Sequence, residues 1–285
     1  MFSSQDIITG EKLQHIADIC FLDTYNPNYK KFSKNFHFVN IPYPQNKVSA
    51  LNGKVLYFPT HLIDYFFKYI YPHINSCKII THNSDHGILD HHPEHINRKI
   101  LKALNSPKII KWFSQNINMN HSKLIALPIG IANSMWPHGN LHLLNEIMNE
   151  KVDKNKLYYF NFNMNTRIDR RKPIYDQCIK NGLKFTPMMN HKRYLINLKS
   201  SKFCICPPGN GYDCHRLWEA IYLGCIPIVI DIPAYSQFKD LPILFINDWK
   251  IVTEDFLNKK YKELKNKNFN YDRAKLTYYS LKILE

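Results

Sequence analysis

Arg216 and Glu219 stand three residues apart within the run CPPGNGYDCHRLWEAIYLGCIPIVI, residues 206–230. A helix over 214–223 puts both side chains on adjoining parts of one face. Leu217, Ala220, Ile221 and Gly224 then form the i, i+3, i+4, i+7 stripe that turns toward a sheet, so the charged pair points away from it. Just before the helix lies the loop Pro207, Pro208, Gly209, Asn210, Gly211, Tyr212, Asp213. The start of a helix offers unpaired N–H groups and a partial positive charge, which suit a phosphate. Arg216 adds a forked cation, and Glu219, one turn on, is spaced to accept the two hydroxyls of a ribose. Gly209 and Gly211 are expected to supply backbone dihedrals closed to other residues and a close approach to a ligand. The same spacing also fits a surface Arg–Glu pair beside an ordinary glycine loop. The loop is neither G-x-G-x-x-G nor G-x-x-x-x-G-K-[ST], so those nucleotide classes lose support.

A second stretch with chemical potential is KIITHNSDHGILDHHPEH, residues 78–95, an apolar strand running into a polar loop. Asp85 follows the strand end, where active-site residues of α/β proteins collect, and is the candidate general base, with His82 and His86 behind it. The competing reading is that Asn83 or Asp85 caps a turn. Five histidines in this stretch (His82, His86, His91, His92, His95) invite a metal-dependent hydrolase reading. Their spacing is not H-E-x-x-H, and solvated loop histidines explain them more simply. No D-x-D pair occurs to hold a divalent ion at a diphosphate, so no metal or other cofactor is expected. Gly130 is read as allowing close approach at a strand end, with Trp136 and His138 on the loop that follows.

The elements that must position these groups alternate along the chain. Strand candidates in the first half are FHFVNI, KVLYF, CKIITH, PKIIKWF and KLIALPIG, interleaved with helix candidates over 60–74 and 91–105. Residues 137–156 loosen into a polar, Asn- and Lys-rich stretch. The alternation restarts with LYYFNF, a helix over 169–181, LKFTP, a helix over 191–200, FCICP, the Arg–Glu helix, IPIVI and ILFIN, and closes with helices over 253–267 and 272–283. This pattern predicts an α/β fold of mostly parallel strands. Its simplest division is two Rossmann-like domains, 1–150 and 151–285, facing a cleft, with ligands at the carboxyl ends of the strands.

At 285 residues, with 45% hydrophobic and 14% aromatic content, the chain is long and apolar enough for full cores. Lys and Arg outnumber Asp and Glu by 38 to 23, and the net charge of +15 favours polyanionic or phosphate-bearing partners. The basic residues are scattered, and the densest run, 259–275, also carries acids, which fits a solvated helix face better than a nucleic-acid patch. A non-catalytic polyanion- or nucleic-acid-binding protein is the alternative from another class, but no nucleic-acid module is recognisable and no nucleic-acid partner is expected. The seven cysteines contain no C-x-x-C pair, so a structural zinc site is not expected and a reduced, cytoplasmic setting fits. The N-terminus lacks signal-peptide character and no apolar run reaches membrane-spanning length, which leaves only peripheral membrane association open.

The run SKFCICPPGNGYDCHRLWEAIYLGCIPIVI resembles the C-terminal signature of exostosin-like glycosyltransferases: a proline- and glycine-bearing loop, an R-x-x-E-A helix and a C-x-P-V-type strand, here PPGNG, RLWEA and CIPIV. LIALPIGIANSMW, YYFNFNMNTRIDRR and AYSQFKDLPILFINDW agree in order, so the resemblance covers about residues 78–260. It also looks like the soluble single-module forms of some bacteria and large DNA viruses; the membrane anchor and second module of animal members are not seen, so the resemblance speaks for the fold more than for any particular animal activity. The resemblance implies the GT-B architecture, with an acceptor-binding first domain and a nucleotide-sugar-binding second domain. The last helix would pack back on the first. It further implies an inverting, metal-independent transfer from a UDP-sugar, UDP-xylose or a UDP-hexose, to a carbohydrate acceptor hydroxyl. Carried onto this sequence, Glu219 holds the donor ribose. Arg216 and the loop Pro207, Gly209, Asn210, Gly211, Tyr212, Asp213 hold the diphosphate, and Arg167, Arg170 or Arg171 adds a second cation.

Overall fold

The structure is a computed structural model that describes residues 2–23, 27–90 and 92–285. His91, one of the histidines in the metal reading, lies outside the described residues. The chain forms two compact units. One comprises Ile8–Ile129 with Leu276–Glu285; the other comprises the segment ending at Ile7 with Gly130–Lys275.

The first unit is built on α1 (Gly10–Ile16), β1 (Ile19–Leu22), β2 (Phe36–Phe38), α2 (Gln45–Val48), β3 (Val55–Pro59), α3 (Ile63–Tyr69), β4 (Cys77–His82), α4 (Glu94–Leu104), β5 (Ile109–Ser114) and β6 (Leu124–Ala126). Its six strands pair in the order β2-β1-β3-β4-β5-β6, every pair parallel. Parallel strands are covered on both faces and therefore read as nearly unbroken apolar runs; all five residues of β3 are buried. A buried polar chain links two of its strands: Trp112 Nε1 donates to Thr81 Oγ1 at 2.9 Å, and Thr81 donates to Ser114 Oγ at 2.8 Å. The strand order reverses between β1 and β3, and the crevice at such a reversal, at the carboxyl ends, is where α/β sheets take up ligands.

The second unit runs α5 (Leu141–Asn149), β7 (Lys156–Tyr159), α6 (Ile168–Lys180), α7 (His191–Ser200), β8 (Ser201–Ile205), α8 (His215–Tyr222), β9 (Ile226–Ile230), β10 (Leu244–Ile246) and α9 (Glu254–Leu264). Its four strands are all parallel, in the order β10-β9-β8-β7. Phe160, Phe162, Phe203, Ile205, Ile228 and Trp249 lead its core. The chain ends in α10 (Leu276–Leu284), whose Tyr279 and Ile283 belong to the core of the six-stranded unit with Leu13, Tyr57 and Ile80. Lys78 Nζ also donates to the carbonyl of Ile283 at 2.8 Å. Two α/β units of parallel strands are the GT-B type of fold that the resemblance implies. Among the described residues no helix is long and apolar enough to cross a membrane.

Three local readings change. The polar stretch after residue 137 holds a helix, α5, because Asn140 Oδ1 caps Leu143 N at 2.9 Å and Leu144 and Ile147 are buried. The division falls at Ile129/Gly130 rather than near 150, because α5 is fastened to α7. Lys199 Nζ donates to the carbonyls of Ile147, Met148 and Glu150 at 2.6, 2.8 and 2.6 Å, and Lys192 pairs with Glu146 at 2.7 Å. LKFTP is not a strand. Its Thr186 bonds Phe160 N–H and accepts from Asn161, while Phe185 packs on Phe160, Phe162 and Tyr175, so the segment is held without a ladder. The residues ahead of the first expected strand also form α1 and β1, too short to stand out by periodicity.

The Lys199 ammonium satisfies the carbonyls of Met148 and Glu150 at the C-terminal end of α5 and adds a second bond to that of Ile147, which also accepts Glu150 N–H at 3.2 Å. Lys199→Met keeps the aliphatic stem and is expected to lower stability by about 2 kcal/mol, measured by urea denaturation. A midpoint unchanged from wild type would show that α5 is held by its apolar face alone.

Candidate functional site

The four-stranded unit gathers its polar groups around the carboxyl end of β8 and the start of α8. Cys206 and Pro207 leave the strand buried, Asn210 is exposed, and Gly209 and Gly211 are buried. Neither Gly209 nor Gly211 has a positive φ, so they are not required for left-handed backbone, contrary to the expectation above. Nor does packing require glycine at 209: a Cβ built there would lie 3.4 Å from Arg171 Nη2, an ordinary contact. Arg171 is itself buried and serves as a brace, its Nε donating to Pro208 O at 2.9 Å and its Nη1 to Asn163 O at 2.6 Å. Burial, then the neighbouring Arg216 charge, push its pKa down.

Asp213, expected at the ligand, is instead turned inward. Its carboxylate accepts Trp218 Nε1 at 2.9 and 2.8 Å and Cys214 N at 2.9 Å, tying the loop to its own helix. Tyr235 OH donates to Tyr212 O at 2.6 Å and closes the other side. Arg170 lies over the Tyr212 ring, 5.3 Å from its centroid, with Nη1 3.5 Å from Asn210 O. Arg167, at the start of α6, pairs with Asp169 at 3.0 and 2.9 Å. Of the three candidate second cations, Arg170 is the one at the loop with its charge not committed to a brace or an acid.

Glu219 is 5% exposed, although the helix stripe placed it away from the core. Three residues that sequence reasoning missed surround it. Tyr194 OH donates to Glu219 Oε2, and His191 Nε2 stands 3.9 Å from Oε1. His215, in the first turn of α8, donates from Nδ1 to Gly130 O at 2.8 Å. Gly130 has φ +66°, so the left-handed turn that delivers this carbonyl does need glycine. His138 comes close to His215 (ring centroids 6.2 Å apart) and stacks on Trp136, so these two loop residues join the cluster. The signal for His191 and Tyr194 was their i, i+3 spacing at the start of a helix, with Asn190 capping Arg193 N. Burial pushes the Glu219 carboxyl up, but the Tyr194 hydroxyl, the His191 and His215 imidazoles and the Arg216 guanidinium more than offset it, and the net shift is downward. Glu219 is therefore ionised near neutral pH.

Arg216 Cζ lies 5.8 Å from the Tyr194 ring centroid. Its Nε is buried without a hydrogen-bond partner, and so are both ring nitrogens of His191. Buried polar atoms are almost always paired, so these three, beside an ionised carboxylate and a helix start, mark a place built for a polar ligand. A diphosphate oxygen suits Arg216 and the α8 N–H groups, and hydroxyls suit Glu219.

The expected catalytic residues lie in the other unit, at the end of β4. Asp85 is exposed. His82 is buried, its Nε2 2.9 Å from Pro128 O and its Nδ1 3.2 Å from Asn83 Oδ1, so both nitrogens are engaged in holding the strand end. His86 packs edge-on to His61 and His92 at 6.0 and 5.6 Å. The loop is pinned from β5: Gln115 donates to Ser84 O at 2.7 Å and Asn118 to Asp90 at 2.7 Å. Among the described residues, no three His, Cys, Asp or Glu side chains converge with metal-binding geometry.

Cys214, the N-cap of α8, has its thiol pulled down to about 7, chiefly by a hydrogen bond from Cys206, against burial and aided by the Arg216 and Arg171 charges. Burial pushes Cys20, Cys77 and Cys178 up to about 12. Iodoacetamide is thus expected to label Cys214 well ahead of those three, at a rate rising through about pH 7. Peptide mass spectrometry measures this, and equal labelling of all four would contradict the charge arrangement around α8.

A family model, the Exostosin GT47 domain, matches residues 81–261, more than half of the chain. Three Arabidopsis thaliana proteins are similar over shorter stretches. Probable glycosyltransferase At3g07620 is 33% identical over 87 residues, 30% of this chain and 16% of that protein. Probable glycosyltransferase At5g25310 is 32% identical over 93 residues, 29% of this chain and 19% of that protein. Probable glycosyltransferase At5g03795 is 41% identical over 48 residues, 17% of this chain and 9% of that protein. The matched stretches thus span less than a fifth of each relative's length. The family match takes in the end of β4, the brace of Arg171, the loop and the Arg216–Glu219 helix together, and the chain belongs to the Exostosin GT47 domain family, a family of glycosyltransferases.

Proposed function

We propose that the protein is an inverting, metal-independent glycosyltransferase that moves a sugar from a UDP-sugar, UDP-xylose or a UDP-hexose, to a carbohydrate hydroxyl. The observation that carries this reading is the buried Arg216 Nε without a hydrogen-bond partner, next to ionised Glu219 at the start of α8. Glu219 accepts the ribose hydroxyls through Oε1, since Oε2 already takes the Tyr194 hydroxyl. Arg216, Arg170 and the first N–H groups of α8 take the diphosphate. Arg171 and Asp213 act indirectly, by holding the loop at that position.

In the reaction the acceptor O–H bond breaks and its oxygen bonds to the anomeric carbon from the face opposite the diphosphate. The bond from that carbon to the β-phosphate oxygen breaks, and its electron pair leaves with UDP. Charge grows on the leaving oxygen, so fixed cations and N–H dipoles lower the barrier without needing to reorganise. The acceptor proton goes to a general base, for which Asp85, an exposed carboxylate, is our candidate.

Calorimetry with UDP tests the donor half. Wild type is expected to bind, Glu219→Gln to weaken binding by about tenfold, equivalent to ~1.4 kcal/mol, and Arg216→Met by more, since a charge-assisted contact is lost. Absence of UDP binding, or wild-type affinity in Glu219→Gln, would sink the assignment. Transfer that survives chelation by EDTA and yields the anomer opposite to the donor's, read by NMR, is the expected outcome for the mechanism.

A further inference from the structure

The loop over 130–139 belongs to the four-stranded unit and brings His138 to the start of α8. Its ring faces that of His215, in the first turn of the helix, with centroids 6.2 Å apart. It also stacks on the Trp136 indole, at 6.3 Å between centroids and 21° from parallel. Backbone bonds hold this part of the loop: Trp136 N–H donates to Asn133 O at 3.0 Å, and Gly139 N–H donates to Trp136 O at 2.8 Å. Trp136 and His138 are both exposed, so a ligand can reach them. Among the described residues the His138 ring is held by these two ring contacts and by no hydrogen bond or ion pair.

We infer that His138 is a further diphosphate-binding residue, which takes up a proton from solvent as the ligand arrives and holds it as an imidazolium. The inference rests on the reading that α8 receives the diphosphate of a UDP-sugar. Two of the nearby guanidinium groups are already engaged, Arg171 by Pro208 O and Asn163 O, and Arg167 by Asp169. Arg216 and Arg170 remain for the ligand. Breaking the bond to the sugar adds one negative charge to the diphosphate, and a further cation at the helix start answers it. UDP already carries that charge, so its binding alone reports the effect.

The surroundings of the ring make its charge conditional. Burial first, then the His215 imidazole of α8 and the His191 imidazole of α7, favour the neutral form, while the Glu219 carboxylate of α8 favours the cation. The net displacement of the pKa is downward. A diphosphate beside the ring reverses this balance, since an adjacent negative charge favours the cation, as does the face of an indole. The sign follows by linkage. The ligand raises the His138 pKa, so the contribution to affinity is full below the ligand-free value and is lost as pH rises through the ligand-bound value.

The experiment titrates the full chain with UDP by calorimetry between about pH 5.5 and 8.5, in paired buffers of different ionisation enthalpy that count the protons taken up. His138→Gln keeps a polar side chain that cannot charge. At about pH 6 it is expected to bind UDP about tenfold or more weakly than wild type, with the ratio approaching one toward about pH 8.5, and to take up fewer protons. Titration of UDP itself is common to both proteins and cancels in the comparison. In the wild type, histidine Cε1–H resonances followed by NMR are expected to show one group, absent from His138→Gln, whose pKa rises on adding UDP and stays put with uridine. Equal affinity ratios at all pH values, equal proton uptake, or an equal response to uridine overturns the role of His138 and leaves the glycosyltransferase reading standing. A wild-type chain that does not bind UDP overturns that reading, and this inference with it.

Discussion

A buried negative charge must be answered by its surroundings, and much of the four-stranded unit is arranged around answering Glu219. The carboxylate is nearly inaccessible, and burial alone would drive it toward the neutral acid. A hydroxyl from α7, imidazoles from α7 and α8, and the guanidinium one turn earlier on α8 hold it ionised. This requirement fixes the relation of α7 to α8. It also gives the loop from Gly130 to Gly139 its shape. Gly130 delivers a carbonyl to His215, and Gly139 sits so close to Asn133 O that a Cβ there would lie only 2.0 Å away. A site that holds a charge in this way is preorganised for a ligand, because the cost of desolvation is met during folding.

Support for the loop is separate from the groups that face the ligand. Arg171 and Asp213 are charged residues of the motif, yet each spends its charge on backbone and on Trp218. A loop without regular hydrogen bonds has little else to hold it, and charge-assisted bonds are the strongest neutral-pH contacts available. Arg216 and Glu219, by contrast, keep atoms without full protein partners or with capacity to accept more. The division explains why a short stretch carries so many ionisable residues: some define the loop and others read the ligand.

In the six-stranded unit the carboxyl ends of β1, β3, β4 and β5 carry Asp23, His61, the 82–90 loop and Gln115–Asn118 respectively. Asn83 and Asn116 both have positive φ, 51° and 52°, at the first or second position beyond their strands. Asparagine tolerates that conformation better than most residues, and it turns the chain sharply at the sheet edge. Asn83 also meets α1 at Gly10, where no Cβ would fit. Beyond the ends of β1 and β3, His61 Nε2 stands 3.9 Å from Asp23 Oδ2.

Periodicity and apolar runs were enough to read the α/β class, strands at FHFVNI, KVLYF, CKIITH and IPIVI to within a few residues, and the helix over 191–200, because buried parallel strands and stripe-bearing helices leave those patterns in any environment. The motif around Arg216 and Glu219 was legible for the same reason: its residues are adjacent in the chain, and the helix start brings them together locally. Short elements such as α1, β1 and α5 were not legible, since their boundaries are set by packing and caps rather than by period. Nor was the direction in which charges point. Asp213 reads as a ligand group and is a brace; Glu219 reads as exposed and is buried; Tyr194 and His191 reach it from 25 and 28 residues away in sequence. The pairing of Asp23 with His61 depends on a strand order that places β3 beside β1, with β2 on the far side. Local sequence determined which groups could act. Which of them stand together, and which are spent on holding the fold, was decided only by contacts between residues far apart in the chain.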